Sequence, residues 1–122
     1  MTGDRRRRAV RRGRSGEAAA ALWLRCKGYR ILGRRVKTPV GEIDILARKG
    51  SVLAVVEVKA RPTTTAATEA IGIRQRRRIE RAAAWVLSSR PELAQADVRF
   101  DAVLVTPFRP PRHVVYAWRP DF

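Results

Sequence analysis

Two β-rich segments, Glu42 to Ala47 and Val52 to Val58, flank the four residues Arg48-Lys49-Gly50-Ser51. Alternation in the first and β-branched residues in the second point to a hairpin at the centre of a sheet. Gly50 supplies the positive φ that a tight turn needs. Both segments also carry charge that a hairpin has no need of: Gly41-Glu42-Ile43-Asp44 on the first, Glu57-Val58-Lys59 on the second. A period of two puts Glu57 and Lys59 on one face. It also separates Ile43, Ile45 and Ala47 from Glu42, Asp44 and Leu46. A turn centred on Lys49-Gly50 sets Asp44 opposite Val55 and makes Glu57 its diagonal neighbour, close enough for the two carboxylates to converge on one ion.

The placement of Glu57 inside Val55-Val56-Glu57-Val58 carries the chemistry. A carboxylate in a central strand is costly unless it is paired or coordinates a metal. Asp44 and Glu57 are therefore read as ligands of a divalent ion, against the plainer alternative of two solvated acids each paired with an Arg. Lys59 either holds the attacking water and stabilises charge on a phosphate, or neutralises Glu57. Such a set is the minimum for metal-assisted hydrolysis of a phosphodiester. Glu42 is a third acid on the Asp44 face or a partner for Arg61.

The partner follows from charge. The chain has 122 residues with 27 Lys+Arg against 11 Asp+Glu, a formal net charge of +16. Residues 1–14 hold seven Arg and are expected to form a disordered Arg-rich arm; 15–122 are read as a single domain. The body stays basic without the arm, which argues for a polyanion. Nucleic acid fits, with DNA the expected form. A membrane does not, because no long apolar run exists, and the arm is not followed by an apolar signal segment. Cys26 is the only cysteine, so neither disulfides nor a cysteine metal site are expected. The economical location is the cytoplasm.

Elsewhere the pattern gives a helix from Ser15 to Lys27 stopped by Gly28, and a short strand Tyr29 to Leu32 with a basic connection closed by Pro39. Pro62 ends the second strand of the hairpin, and Thr63 to Thr68 form a loop. A long helix runs from Glu69 to about Ser88, its inward stripe set by Gly72, Gln75, Ile79, Ala82, Ala83 and Val86. Strands over 98–106 and 113–118 complete an α-β-β-β-α-β-β order, a mixed α/β domain with helices on a central sheet. Gln75 faces the sheet, where it orients a nucleophile, touches a phosphate, or merely sits in a frayed first turn. Arg74, Arg76, Arg77, Arg78 and Arg81 crowd the other faces of the helix and, with Arg61, are candidate phosphate contacts. Trp23, Trp85 and Trp118 are read as core, Cys26 as a small buried hydrophobe, and His113 as a residue without a role.

Several of these motifs in this order resemble the YraN family of small bacterial proteins. The markers are Gly16-Glu17 with Ala20, Gly28-Tyr29, Gly41-Glu42-Ile43-Asp44, Val56 to Arg61, the basic helix from Arg74 to Ala83, and Arg99 to Val103. The likeness covers about residues 14–106. That family looks like a branch of the restriction-endonuclease-like, or PD-(D/E)XK, nucleases, and is similar to archaeal-type Holliday-junction resolvases. The resemblance implies a restriction-endonuclease-like mixed sheet and Asp44, Glu57 and Lys59 as the core motif. It makes Glu17 the acid of the first helix and Mg²⁺ (or Mn²⁺) the ion. It also implies a DNA endonuclease for branched or structured substrates, and a homodimer. A non-catalytic nucleic-acid-binding module of the same fold, acting in repair or recombination, is the alternative. The family usually carries a lysine where this chain has Gln75, and Asp101 belongs to a motif of unassigned role.

Overall fold

The hairpin forms, but its turn lies one residue further along than expected. The computed structural model describes residues 16–61 and 71–120. The Arg-rich arm, Ser15, Pro62, the Thr63–Thr68 loop and Glu69 lie outside these. Lys49 pairs with Val52, so the turn is Gly50-Ser51, with Gly50 at φ 60°. Moving a turn by one residue moves every partner by two, which keeps each side chain on its face. Leu46 therefore meets Val55 and Ile45 meets Val56, and the same register carries Asp44 towards Glu57 rather than Val55.

Around this hairpin the order is α1 (16–26), β1 (Arg30–Thr38), β2 (Gly41–Lys49), β3 (Val52–Ala60) and α2 (Ile73–Ser89). A 3-10 turn (Pro91–Leu93), β4 (Asp97–Val105) and β5 (Arg112–Trp118) follow. The five strands lie side by side in chain order, all antiparallel except β3 and β4. A parallel pair needs a crossover, and α2 supplies it. The fold is thus a mixed α/β sheet flanked by helices. Among the described residues no helix is long and apolar enough to cross a membrane.

β1 is longer than the Tyr29–Leu32 strand expected from the sequence. Its added residues, Arg34, Arg35 and Lys37 among them, show no apolar alternation, because an edge strand needs only its backbone to pair and tolerates charge on its sides. α2 begins later than expected. Gly72 is extended (φ −66°, ψ 155°) and precedes the helix, so it belongs to no inward stripe. Ile79, Ala82, Ala83 and Val86 do form that stripe and are buried. Arg90, extended ahead of Pro91, ends the helix.

Each helix covers one face. On one side Ala20, Ala21 and Leu24 of α1 pack on Ile45, Ala47, Ala54 and Val56. On the other, α2 packs on Ile43, Leu46, Leu53 and Val55, with Phe100 stacked on Trp118 at 5.2 Å beneath it. The α1 side is built of small residues, and Gly16 packs directly on Ala60. A Cβ at Gly16 would lie 2.6 Å from the Ala60 Cβ. Gly16→Ala is therefore expected to lift the start of α1 and to cost about 1–3 kcal/mol, read as a lower thermal midpoint. An unchanged midpoint would show that α1 can shift freely there.

Two tryptophans and the cysteine depart from expectation. Trp118 is buried, but Trp85 and Trp23 are exposed, and so is Cys26. Both helices form single outer layers, so half of each faces solvent, and alanine rather than tryptophan fills the inward positions.

Candidate functional site

β2 loses its regularity at Asp44, and the site begins there. The β1–β2 pairing passes from Arg34–Ile45 to Val36–Ile43 and skips Arg35 and Asp44. Arg35 has φ 51°, a left-handed conformation that a non-glycine residue adopts only under constraint. On the other side the β2–β3 ladder ends at Ile45–Val56. Beyond it the Val58 backbone N–H donates to Asp44 Oδ2 at 2.8 Å. A side-chain oxygen has taken the place of a ladder carbonyl, and β2 and β3 part around it. The expected single face for Ile43, Ile45 and Ala47 breaks at the same point. Ile43 joins the core under α2, while Ile45 and Ala47 join the core under α1.

Glu57 lies in this opening. Its carboxyl lies close enough to that of Asp44 for each to shift the titration of the other. Burial first, and then the Asp44 charge, push the Glu57 carboxyl from its ordinary 4.5 up to about 8. Burial also raises Asp44, against the Val58 hydrogen bond that lowers it. The charges of Lys59 and Arg61 act on Glu57 in the opposite sense. Lys59 is buried at 6 % exposure on the Glu57 side of β3. Gln75, in the first turn of α2, is exposed rather than tucked against the sheet, yet its Nε2 donates to Glu57 Oε1 at 2.6 Å. Asp44, Glu57, Lys59 and Gln75 are thus one cluster.

Glu17 is placed differently. It is buried between two guanidinium groups, accepting from Arg34 Nε at 3.1 Å and Arg35 Nε at 3.0 Å. Its charge still reaches Asp44 and raises that carboxyl further. Glu17 therefore anchors α1 to the distorted part of β1 beside Asp44. No sequence pattern announced Arg34 and Arg35 as its partners; their adjacency in an edge strand was the only signal. Glu42 is exposed.

The candidate phosphate contacts divide into two groups. Arg74, Arg78 and Arg81 are exposed and recur at helical spacing along one side of α2. Arg76 donates to the Ile71 carbonyl at 2.8 Å, and Arg77 lies 3.6 Å from Glu80. Arg61 is half-buried, donates to the Ala60 carbonyl at 3.0 Å, and lines a cavity of about 280 Å³. That cavity lies between the start of α1 and the ends of β3 and β4, which run parallel.

The donor set suits a small, hard dication. Two adjacent carboxylates repel unless a proton or a cation sits between them, and the raised Glu57 carboxyl favours the proton. Among the described residues no three His, Cys, Asp or Glu side chains gather closely enough to hold an ion alone. Mg²⁺ is bound in this manner, by one or two carboxylates with water and substrate phosphate filling the rest.

A second polar centre escaped the sequence reading. Asp101 is fully buried in β4. It accepts from Arg99 twice (2.8 and 2.7 Å), from His113 Nε2 (2.8 Å) and from the Tyr116 N–H (3.2 Å). Lys27 meets His113 Nδ1, and Arg99 also donates to the Tyr29 hydroxyl. Burial pushes Asp101 up, but the hydrogen bonds from His113, Arg99 and Tyr116 outweigh it and hold the carboxyl below its ordinary range. His113 thus has a structural role. The signal was the Arg99-x-Asp101 spacing, which puts both on one face of a strand; the β5 partner is visible only in the fold.

The family model described as "Uncharacterised protein family UPF0102" matches residues 16–105. A UPF0102 protein of Parvibaculum lavamentivorans is 56 % identical over 112 residues, covering 92 % of this chain and 84 % of that one. One from Paramagnetospirillum magneticum is 54 % identical, covering 93 % and 91 %. One from Maricaulis maris is 49 % identical, covering 94 % and 91 %.

Proposed function

The chain belongs to the UPF0102 family, and on that premise we propose that it is a Mg²⁺- or Mn²⁺-dependent endonuclease of restriction-endonuclease-like fold that hydrolyses phosphodiester bonds of DNA. The observation that carries this reading is the Asp44–Glu57 carboxyl pair in the opening between β2 and β3, with Lys59 behind it. A structural acid pair in a sheet would be replaced at little cost by apolar residues. Here the backbone is distorted on both sides of β2 to accommodate it.

A bound Mg²⁺ would supply Lewis-acid stabilisation of charge on the phosphate and a readily deprotonated water. The residues divide the remaining work. Asp44 is fixed at the opening by the Val58 N–H, which donates to its Oδ2. Glu57, oriented by Gln75, would hold the ion as a carboxylate, its proton released to solvent. Lys59 lies beside the pair, where its amine would align the water and offset charge building on the phosphate. Glu17 holds Arg34 and Arg35, and so the strand facing Asp44, in place. Arg74, Arg78 and Arg81 offer phosphate contacts that position a duplex without reading sequence. The homodimer implied by resolvases is part of the same proposal.

A labelled panel of single strand, duplex, flap, four-way junction and structured RNA tests the reading in Mg²⁺, Mn²⁺ and EDTA. Wild type is expected to cut in metal only, and Asp44→Asn is expected to lose about 10²–10³-fold or more. Removing Arg74, Arg78 or Arg81 should each reduce the salt slope of binding by about one. Equal cutting by Asp44→Asn would remove the site from consideration. Tight binding without cutting would favour the non-catalytic module of the same fold.

A further inference from the structure

The turn between β4 and β5 presents Phe108 to solvent at 106 % exposure. One exposed apolar residue is ordinary. Three features separate this one. Its φ is 62°, a left-handed backbone in which a bulky aromatic is a genuine outlier. Pro107, Pro110 and Pro111 stiffen the turn, so the ring is held out rather than left to fold back. And the turn leaves the sheet from the end of β4, the strand paired with the one that carries Glu57. Ala60 pairs with Val105 and the Arg61 N–H donates to the Val105 carbonyl at 3.0 Å. Three residues of chain then place Phe108 at most about 16 Å from Ala60, and Glu57 lies three residues, about 10 Å, further back along β3. The ring therefore lies within about 26 Å of the carboxyl pair, a reach of about eight nucleotides at about 3.4 Å a step. Arg109 and Arg112, both exposed, flank the ring with charge complementary to phosphate.

We infer that Phe108 is a stacking wedge for an unpaired or unstacked base within about eight nucleotides of the cleaved phosphate. The chain's substrates are then nucleic acids with a single-stranded or branched element, not continuous duplex. Only the link to cleavage rests on the nuclease reading. An aromatic ring can accept any base on its face, whereas entering a duplex requires unstacking a step first. Arg109 and Arg112 hold the backbone on either side while the ring takes the base, so charge and stacking act at neighbouring points.

The test uses the full chain in EDTA, where nothing is cut, with oligonucleotides carrying 2-aminopurine as single strand, flap and continuous duplex. Phe108→Ala is expected to weaken single strand and flap by about 10–100-fold, with loss of the fluorescence quench, and to change duplex binding by less than about two-fold. The salt slope should stay the same, and Phe108→Trp should bind as wild type does. Equal weakening of all three substrates, or no weakening of any, overturns the inference; the second result would leave the ring to a protein partner. Quenching without cutting in Mg²⁺ would sink the nuclease reading and sustain this one. Cutting that ignores Phe108 and any unpaired base would do the reverse.

Discussion

In EDTA, Glu57→Gln should be more stable than the wild type above pH 8, and in Mg²⁺ it should not cut. The folded Glu57 carboxyl titrates at about 8 against an ordinary 4.5. Between those values the unfolded chain has lost the proton and the folded chain still holds it. The native state binds more protons, so wild-type stability falls as pH rises through this window. The contribution is whole below 4.5 and gone above about 8. Asp44, also raised, adds a loss of the same sign. Glutamine keeps the uncharged form throughout, so the variant's curve lacks the fall. The difference at pH 8.5 should be about 1–3 kcal/mol, allowing for water reaching a half-buried group. Mg²⁺ should restore the wild type and leave the variant unmoved, since a ligand specific to the folded state stabilises it by mass action. Urea melts at pH 5, 6.5 and 8.5, with EDTA or Mg²⁺, decide the matter. Parallel wild-type and Glu57→Gln curves would mean that Glu57 carries no such proton.

Asp101→Asn should be the most damaging conservative change among the described residues. The carboxylate satisfies Arg99, His113 and the Tyr116 N–H at once. His113 receives Lys27 at Nδ1, which leaves Nε2 as the donor towards Asp101. An amide in this position turns two hydrogens towards groups that are themselves donors. Arg99, with its side chain 12 % exposed, keeps its charge with no anion to face. Breaking a buried pair from one side costs about 3–5 kcal/mol, which lowers the thermal midpoint of a domain this size by roughly 12–30 °C. Because Asp101 is held below its ordinary range, its contribution is present above that range and lost as pH falls through the lowered value. The wild type should therefore show an acid limb that the variant lacks. A midpoint within about 4 °C of wild type would show the network to be dispensable.

What could be read from the sequence was local, and what could not was pairing. The alternation through β2, the β-branched run of β3 and the Ile79–Val86 stripe are period signals, and each produced its element. The Glu57 and Lys59 side of β3 follows from the same period. The register did not, because Lys49-Gly50 and Gly50-Ser51 are both acceptable two-residue turns and only packing chooses between them. The break in alternation at Asp44 was hidden for a different reason: it is made by a side chain from within the strand, not by glycine or proline. Gln75 was placed in the inward stripe by spacing, but the helix starts at Ile73 and its first turn overhangs the sheet, so a polar residue there reaches Glu57 while staying wet. Arg34 and Arg35 on Glu17, and His113 on Asp101, join segments far apart in the chain.

The first turn of α2 has consequences of its own. Gly72 caps it without a side-chain hydrogen bond, and no acid stands in that turn. Arg74, Arg76 and Arg77 instead add positive charge where the peptide dipoles already point their positive end. Such a turn frays unless something outside it holds it, and the bond from Gln75 to Glu57 is one such tie. Ordering of the turn and the charge state of the carboxyl pair are therefore thermodynamically linked. Linkage is reciprocal: whatever steadies the helix start changes the affinity of the pair for a proton by the same factor as the proton changes the steadiness of the helix.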